Sequence, residues 1–262
     1  MKKVALVGAS AGLAALVALG FSQQAVLAQT STAATSQPAM SSNVNRAEIE
    51  AIIKDYLIKN PEVLLEAQAA LTAKQEATQQ QAQGQIISQN SDKLFNSPAD
   101  AVFGNPKGDV TVVEFFDYNC GYCKRALPDM DALLKSDTKL RFVMKEFPIL
   151  GADSTRAHIV AKAFKALMPE KYLEFHRDLL GRDGRATEDS AMQIAIKLGG
   201  NEKQIREKMK SPEIAQAFQQ NYDLANSLNI NGTPSYIIGN EVVPGALGVD
   251  ALAEKISHIR NK

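Results

Sequence analysis

The spacing of apolar positions changes several times along this chain, and each change marks a boundary. An uncharged apolar run, VALVGASAGLAALVALGF from Val4 to Phe21, follows Lys2 and Lys3. VLA then puts Val26 and Ala28 at the small-residue positions before a cleavage point. Residues 1–28 therefore read as a secretory signal peptide cut near Ala28, with an uncleaved anchor as the alternative. Residues 29–44 are rich in Ser, Thr and Ala without periodicity and read as a flexible leader. From Asn45 helical spacing sets in. Asn45 and Glu48 form a capping-box pair, and Ile49, Ile52, Ile53, Tyr56 and Leu57 follow on one stripe. Asn60-Pro61 ends this helix and starts a second, with Pro61 at the tolerated first position and Leu64, Leu65, Ala67 and Leu71 behind it. The second pattern dissolves into a Gln-rich run, Lys74 to Gln85, which reads as a solvated spacer with almost no apolar face.

The period changes again beyond Phe103. GNPKGD, Gly104 to Asp109, is turn chemistry. VTVVEFF, Val110 to Phe116, is a β-branched and aromatic run too apolar for a surface strand, so it predicts a central, buried one. Ala126, Leu127, Met130, Leu133 and Leu134 then recur at helical spacing, and LRFVMKEFP, Leu140 to Pro148, predicts a second apolar strand. This is a strand–helix–strand unit. From Ser154 to Leu228 only helical patterns occur. Strand signals return at SYIIG, Ser235 to Gly239, and EVVPG, Glu241 to Gly245, before a last helix over about Val249 to Ile259. The chain thus divides into residues 1–28, 29–44, a helical segment with spacer at 45–95, and an α/β domain at 96–262 with a helical insert at about 153–229.

Composition removes several classes of function. The 262 residues carry 29 basic and 29 acidic side chains, so charge supports neither a nucleic-acid partner nor an anionic membrane surface. No phosphate-binding glycine loop is present. The two amphipathic helices are too short to bury their own stripes. They are expected to join copies of the chain through residues about 45–75, or else to pack back on the main domain.

The candidate chemistry lies in FFDYNCGYCKR, which holds both cysteines of the chain, Cys120 and Cys123. Cys120 falls at a strand-to-helix junction. A helix N-terminus offers unpaired N–H groups and about half a positive charge, which favours a thiolate over a thiol. Cys120 is therefore expected to be an exposed nucleophile of low pKa, and Cys123, one turn on, a less accessible resolving thiol. A structural disulfide would close only a tiny loop. Zinc needs about four ligands, and His158, His176 and His258 are not paired at ligand spacing. Copper(I) on the two thiolates stays open as an alternative, as does surface interaction with incidental thiols. A copper(I) titration beside a refolding assay would separate these readings. His158 and His176 read as ordinary helix residues.

VEFFDYNCGYC, with KEFP and the distant NGTPSYIIG, resembles the DsbA/DsbC-like extracytoplasmic disulfide oxidoreductases. YLIKNPEVLLEA resembles the subgroup with a helical oligomerisation extension, which includes ScsC-like proteins and Com-type surface antigens. The resemblance implies a thioredoxin fold interrupted by a helical subdomain and preceded by an N-terminal oligomerisation segment. It implies no cofactor or metal, exported proteins as substrates, a membrane reductase or oxidase as redox partner, a homo-oligomer (dimer or trimer) and a periplasmic location. It also implies that Thr233 and a cis Pro234 face the cysteine pair, with threonine resembling the isomerase branch. Glu114 matches the family's buried acid, and Lys145 sits where its partner lysine would be, both placed to tune or relay the proton of Cys123. Gly121-Tyr122 departs from the Pro-His of strong oxidases and points toward the isomerase side.

Overall fold

The computed structural model describes residues 45–261. The signal-peptide and leader expectations lie outside the described residues. Helix α1 (Arg46–Lys59) is a unit of its own, and the chain from Asn60 onward is a second. No side chain of α1 is buried: Ile52, Ile53, Tyr56 and Ile58 all face out, Ile58 at 69% exposure.

The second unit opens with α2 (Glu62–Gln89), followed by the short α3 (Ser91–Phe95). The Gln-rich run does not dissolve the helix: α2 continues through it without a break. Glutamine is nearly as good a helix former as leucine, so backbone bonding persists where the apolar stripe gives out. Leu64, Leu65 and Leu71 remain exposed, whereas Ile87 is buried.

A mixed five-stranded sheet forms the centre: β1 (Ala101–Gly104), β2 (Val110–Phe116), β3 (Leu140–Glu146), β4 (Ser235–Ile238) and β5 (Glu241–Pro244). Their spatial order is β1-β3-β2-β4-β5, with β2 and β3 parallel and the other neighbours antiparallel. The predicted buried strand is β2, with Val112, Val113, Phe115 and Phe116 all fully covered. Between β2 and β3 runs α4 (Gly121–Ser136). The expected insert is all-helical: α5 (Ala152–Leu167), α6 (Tyr172–Leu180), α7 (Glu188–Lys197), α8 (Glu202–Lys208) and α9 (Pro212–Ser227). The domain ends with α10 (Val249–Arg260).

Strand alternation sorts the core onto two faces. Val110, Val112, Phe116, Phe142 and Met144 pack with Cys123, Met130, Leu133 and the insert helices. Val113, Phe115, Val143 and Ile237 pack on the other face with Ile87, Leu94, Leu224 and Leu228. Ile87 and Leu94 are 1% and 0% exposed, so the globular domain begins ahead of residue 96, at the C-terminal end of α2. Strand β1 escapes the pattern reading because it has four residues and turns only Ala101 and Phe103 inward.

Candidate active site

Strand β2 delivers the chain to a tight turn, Asp117 to Asn119, and α4 starts immediately after it. The turn is fixed by three polar groups. Asp117 accepts through Oδ1 from the Asn119 N–H (2.8 Å) and through Oδ2 from the N–H groups of Ile149 and Leu150 (2.9 Å each). The Asn119 amide ties the turn to the insert, accepting from Ala186 N–H at 2.7 Å and donating to the Ser154 hydroxyl at 3.0 Å. His158, on α5, accepts the Tyr118 N–H at Nε2 (3.2 Å). That geometry leaves the proton on Nδ1, which donates to Glu146 Oε2 at 2.8 Å. Tyr172 donates to the other Glu146 oxygen at 2.7 Å. His158 and His176 lie on α5 and α6, as the helical reading expected, and the structure adds their burial and their contacts. His158 and His176 are wholly buried, and His158 holds the backbone just before Cys120. Burial depresses the His176 pKa to about 3, which keeps its imidazole neutral.

Cys120 is the N-cap of α4, and its Sγ accepts from the Cys123 N–H at 3.5 Å. Both cysteines are free thiols. The Cys120 pKa is pulled from its ordinary value of 9.0 down to about 5. The Cys123 thiol is the main cause; Thr233 and the N–H groups of Cys123 and Tyr122 add to it against the opposing effect of burial. The Cys123 thiol moves the other way, raised first by burial and then by the bond to Cys120 and the Glu114 charge. Two thiols one helical turn apart thus have opposite proton affinities. Cys120 is the more accessible, but at 6% exposure it is more covered than the sequence suggests, and Cys123 is at 0%. In the thiol form, Cys120 Sγ donates to the Thr233 carbonyl at 3.0 Å. The chain thereby brings residues 113 positions apart into contact. The Thr233–Pro234 peptide bond is cis.

Glu114 lies on the Cys123 side of the sheet, opposite Tyr236 on β4. Burial, reinforced by the Cys120 and Asp129 charges, raises its carboxyl pKa from 4.5 to about 8. Lys145 is different. Alternation along β3 turns it to the face of Val143, away from Met144 and the Glu114 side. Its ammonium bonds the Asp100 carboxylate and the Lys93 carbonyl. The expectation that Lys145 partners Cys123 is corrected on this ground: its charge is neutralised by Asp100 inside the opposite half of the core.

Beside the redox pair opens a cleft of about 770 Å³, lined by Tyr122, Thr233, Pro234, Ser235 and, across from them, side chains of α2. The turn groups Asp117, Asn119, Glu146 and His158 were not legible in the sequence. Most of their partners lie 12 to 40 residues away, and no local period encodes them. DYN directly before the cysteines was the one local signal. Among the described residues no cluster of three or more His, Cys, Asp or Glu side chains is arranged to hold a metal ion. No helix among them is long and apolar enough to cross a membrane.

Comparison with known proteins matches this geometry. Residues 111–257, more than half of the chain, match the family model described as DSBA-like thioredoxin domain. Residues 45–78 match the model described as Copper resistance protein ScsC N-terminal domain. The chain spans 24% of the length of the first curated relatives it matches, two Na(+)/H(+) antiporters of Salinispora at 26% and 27% identity. It is 26% identical to disulfide bond formation protein D of Bacillus subtilis over 64% of this chain and 82% of that one. Among solved structures, a thioredoxin-like oxidoreductase from Silicibacter pomeroyi aligns at 41% identity and a TM-score of 0.62, covering 65% of this chain and 98% of that one. Proteus mirabilis ScsC in a compact conformation aligns at 28% identity and a TM-score of 0.61, over 81% and 96% of the two chains.

Proposed function

The chain belongs to the DsbA-like thioredoxin-domain family of thiol–disulfide oxidoreductases, and on that premise we propose that it reshuffles and forms disulfides in exported proteins in the periplasm. The observation that carries the reading is the split between the two thiols: a nucleophile lowered to about pKa 5 and a buried partner raised above its ordinary range. The Cys120 thiolate attacks one sulfur of a client disulfide. A Cys120–client bond forms, and the second client sulfur leaves as thiolate. In isomerisation that client thiolate, or another, attacks back and frees Cys120, with no net oxidation. In the redox branch Cys123 loses its proton and attacks Cys120 Sγ, releasing reduced client and leaving the Cys120–Cys123 disulfide. Run backward from that disulfide, the same step oxidises a client dithiol. Glu114, with a carboxyl pKa near 8, is suited to exchange the Cys123 proton in either direction. A thiolate stabilised by the fold favours the reduced site, which makes the disulfide form a donor of oxidising equivalents.

The N-terminal helices supply the argument for reshuffling. The exposed side chains on α1 and the start of α2 include Ile52, Ile58, Leu64 and Leu65, the last at 74% exposure. Burial of a large apolar side chain stabilises by about 1.5–3 kcal/mol, so pairing these stripes between copies would hold a lasting homo-oligomer through residues about 45–75. Joined sites enclose a client and hinder access by a membrane oxidase. The test is reactivation of a scrambled disulfide protein, with mass measured in solution. The chain from residue 29 is expected to be oligomeric and active. A chain starting near Lys74, which keeps Ile87 and Leu94 in the core, is expected to be a monomer that still exchanges small disulfides but loses reactivation. A monomeric parent, or a truncation with full reactivation, would count against the reading.

A further inference from the structure

The Gln-rich stretch of α2 has a placement that a spacer does not need. Glu76, Gln79, Gln80 and Gln83 line the cleft opposite Tyr122, Thr233 and Pro234. Their spacing continues to Ile87, so all five share one helical face. Two contacts fix the direction of that face. Ile87 is sealed in the core with Val113 and Ile237. Gly84 passes so close to the β4–β5 turn that a Cβ on it would lie 3.5 Å from Asn240 Cβ. The stripe is apolar where the helix meets the core and changes to primary amides where the helix stands off from it. Gln79, Gln80 and Gln83 make no side-chain hydrogen bond to any described residue.

We propose that this face of α2 is the second wall of the substrate cleft and binds the extended backbone of a client polypeptide independently of its sequence. The inference rests on the oxidoreductase reading above and specifies how that site holds its substrate. A glutamine amide offers two N–H donors and one carbonyl acceptor, the same groups that an extended chain presents at every residue. The three amides are neutral and add no preference for either sign of client charge; the acidic groups of the cleft lining are Glu76 and Glu241. Glu76 to Gln83 span about 10 Å of helix, the length of about three residues of extended chain. That span faces Thr233 and Ser235 across the cleft, so a client whose sulfur reaches Cys120 runs between the two walls.

The test compares two substrates on the oligomeric chain from residue 29. One is a short unstructured peptide whose cysteine is capped as a mixed disulfide; the other is hydroxyethyl disulfide, too small to reach α2. The variant is Gln79→Ala with Gln80→Ala and Gln83→Ala, which raises helix propensity and keeps Ile87 and Gly84. The ratio of kcat/KM values, peptide over small disulfide, is expected to fall about tenfold, through KM, as several amide hydrogen bonds are lost. An unchanged ratio overturns the proposal. As a second readout, a benzophenone side chain at Gln80 should crosslink to the peptide trapped as a mixed disulfide on Cys123→Ser; a trapped complex that never crosslinks there also overturns it. A parent protein that turns over neither substrate would sink the oxidoreductase reading itself, and is told apart from failure of the α2 wall alone.

Discussion

Cys120→Ser is expected to abolish turnover of every disulfide substrate, and Cys123→Ser to accumulate long-lived mixed disulfides with client proteins. The asymmetry follows from where each sulfur sits. Cys120 caps α4 and is the more accessible of the two thiols; at neutral pH a thiol of pKa about 5 is almost wholly thiolate. Serine at that position has no comparable anion, so the first bond never forms. Cys123 is fully buried and held as a thiol, so it cannot start exchange with an external disulfide, only finish it. Without it the Cys120–client bond lacks its internal attacker and waits for an outside thiol. Non-reducing gels and intact-mass measurement separate the two variants. Client adducts forming through Cys123 in Cys120→Ser would reverse the assignment.

Lys145→Met is expected to destabilise the fold by about 3–5 kcal/mol while leaving the rate of small-disulfide exchange per folded molecule unchanged. Lys145 and Asp100 have side-chain exposures of 0% and 1%, so their pairing takes place out of water. Burial lowers the Lys145 pKa, and the Asp100 charge and hydrogen bond oppose that shift. Removing the ammonium strands the Asp100 carboxylate, whose remaining cation is Lys162 at 3.6 Å, and frees the Lys93 carbonyl that ties α3 to the domain. Methionine fills most of the volume, so the loss reads the charge rather than a cavity. Urea unfolding gives the stability, and hydroxyethyl disulfide turnover gives the chemistry. A proton relay at Lys145 would produce the opposite pattern: normal stability and slow exchange.

The sequence carried local information faithfully and long-range information hardly at all. The buried run at Val110–Phe116 announced the central strand because both faces of β2 are covered, and helical spacing announced the all-helical insert. The thiol pair was legible because two cysteines and a strand-to-helix switch fall within a few residues of each other. The contact between Cys120 and Thr233 spans 113 positions and was expected from family resemblance alone. Glu114 and Lys145 read as an acid and its partner lysine, both placed to serve Cys123. Strand parity puts them on opposite faces of the sheet, and which face carries the thiols is decided by packing, not by period. His158 read as an ordinary helix residue, and its ties to the turn were not visible because its partners, Tyr118 and Glu146, come from outside its helix. The Gln-rich run misled for a related reason. A polar face signals solvent exposure, and it signals a polar cleft equally well.

The central claim is that Cys120 is a low-pKa nucleophile backed by a protected Cys123. The most direct measurement is the pH dependence of alkylation of the reduced protein by iodoacetamide, with the modified residue identified by mass spectrometry. The rate should rise through about pH 5 and be flat by neutral pH, with the label on Cys120 alone. A rise centred near the ordinary thiol value of 9.0, or first labelling at Cys123, would contradict the account.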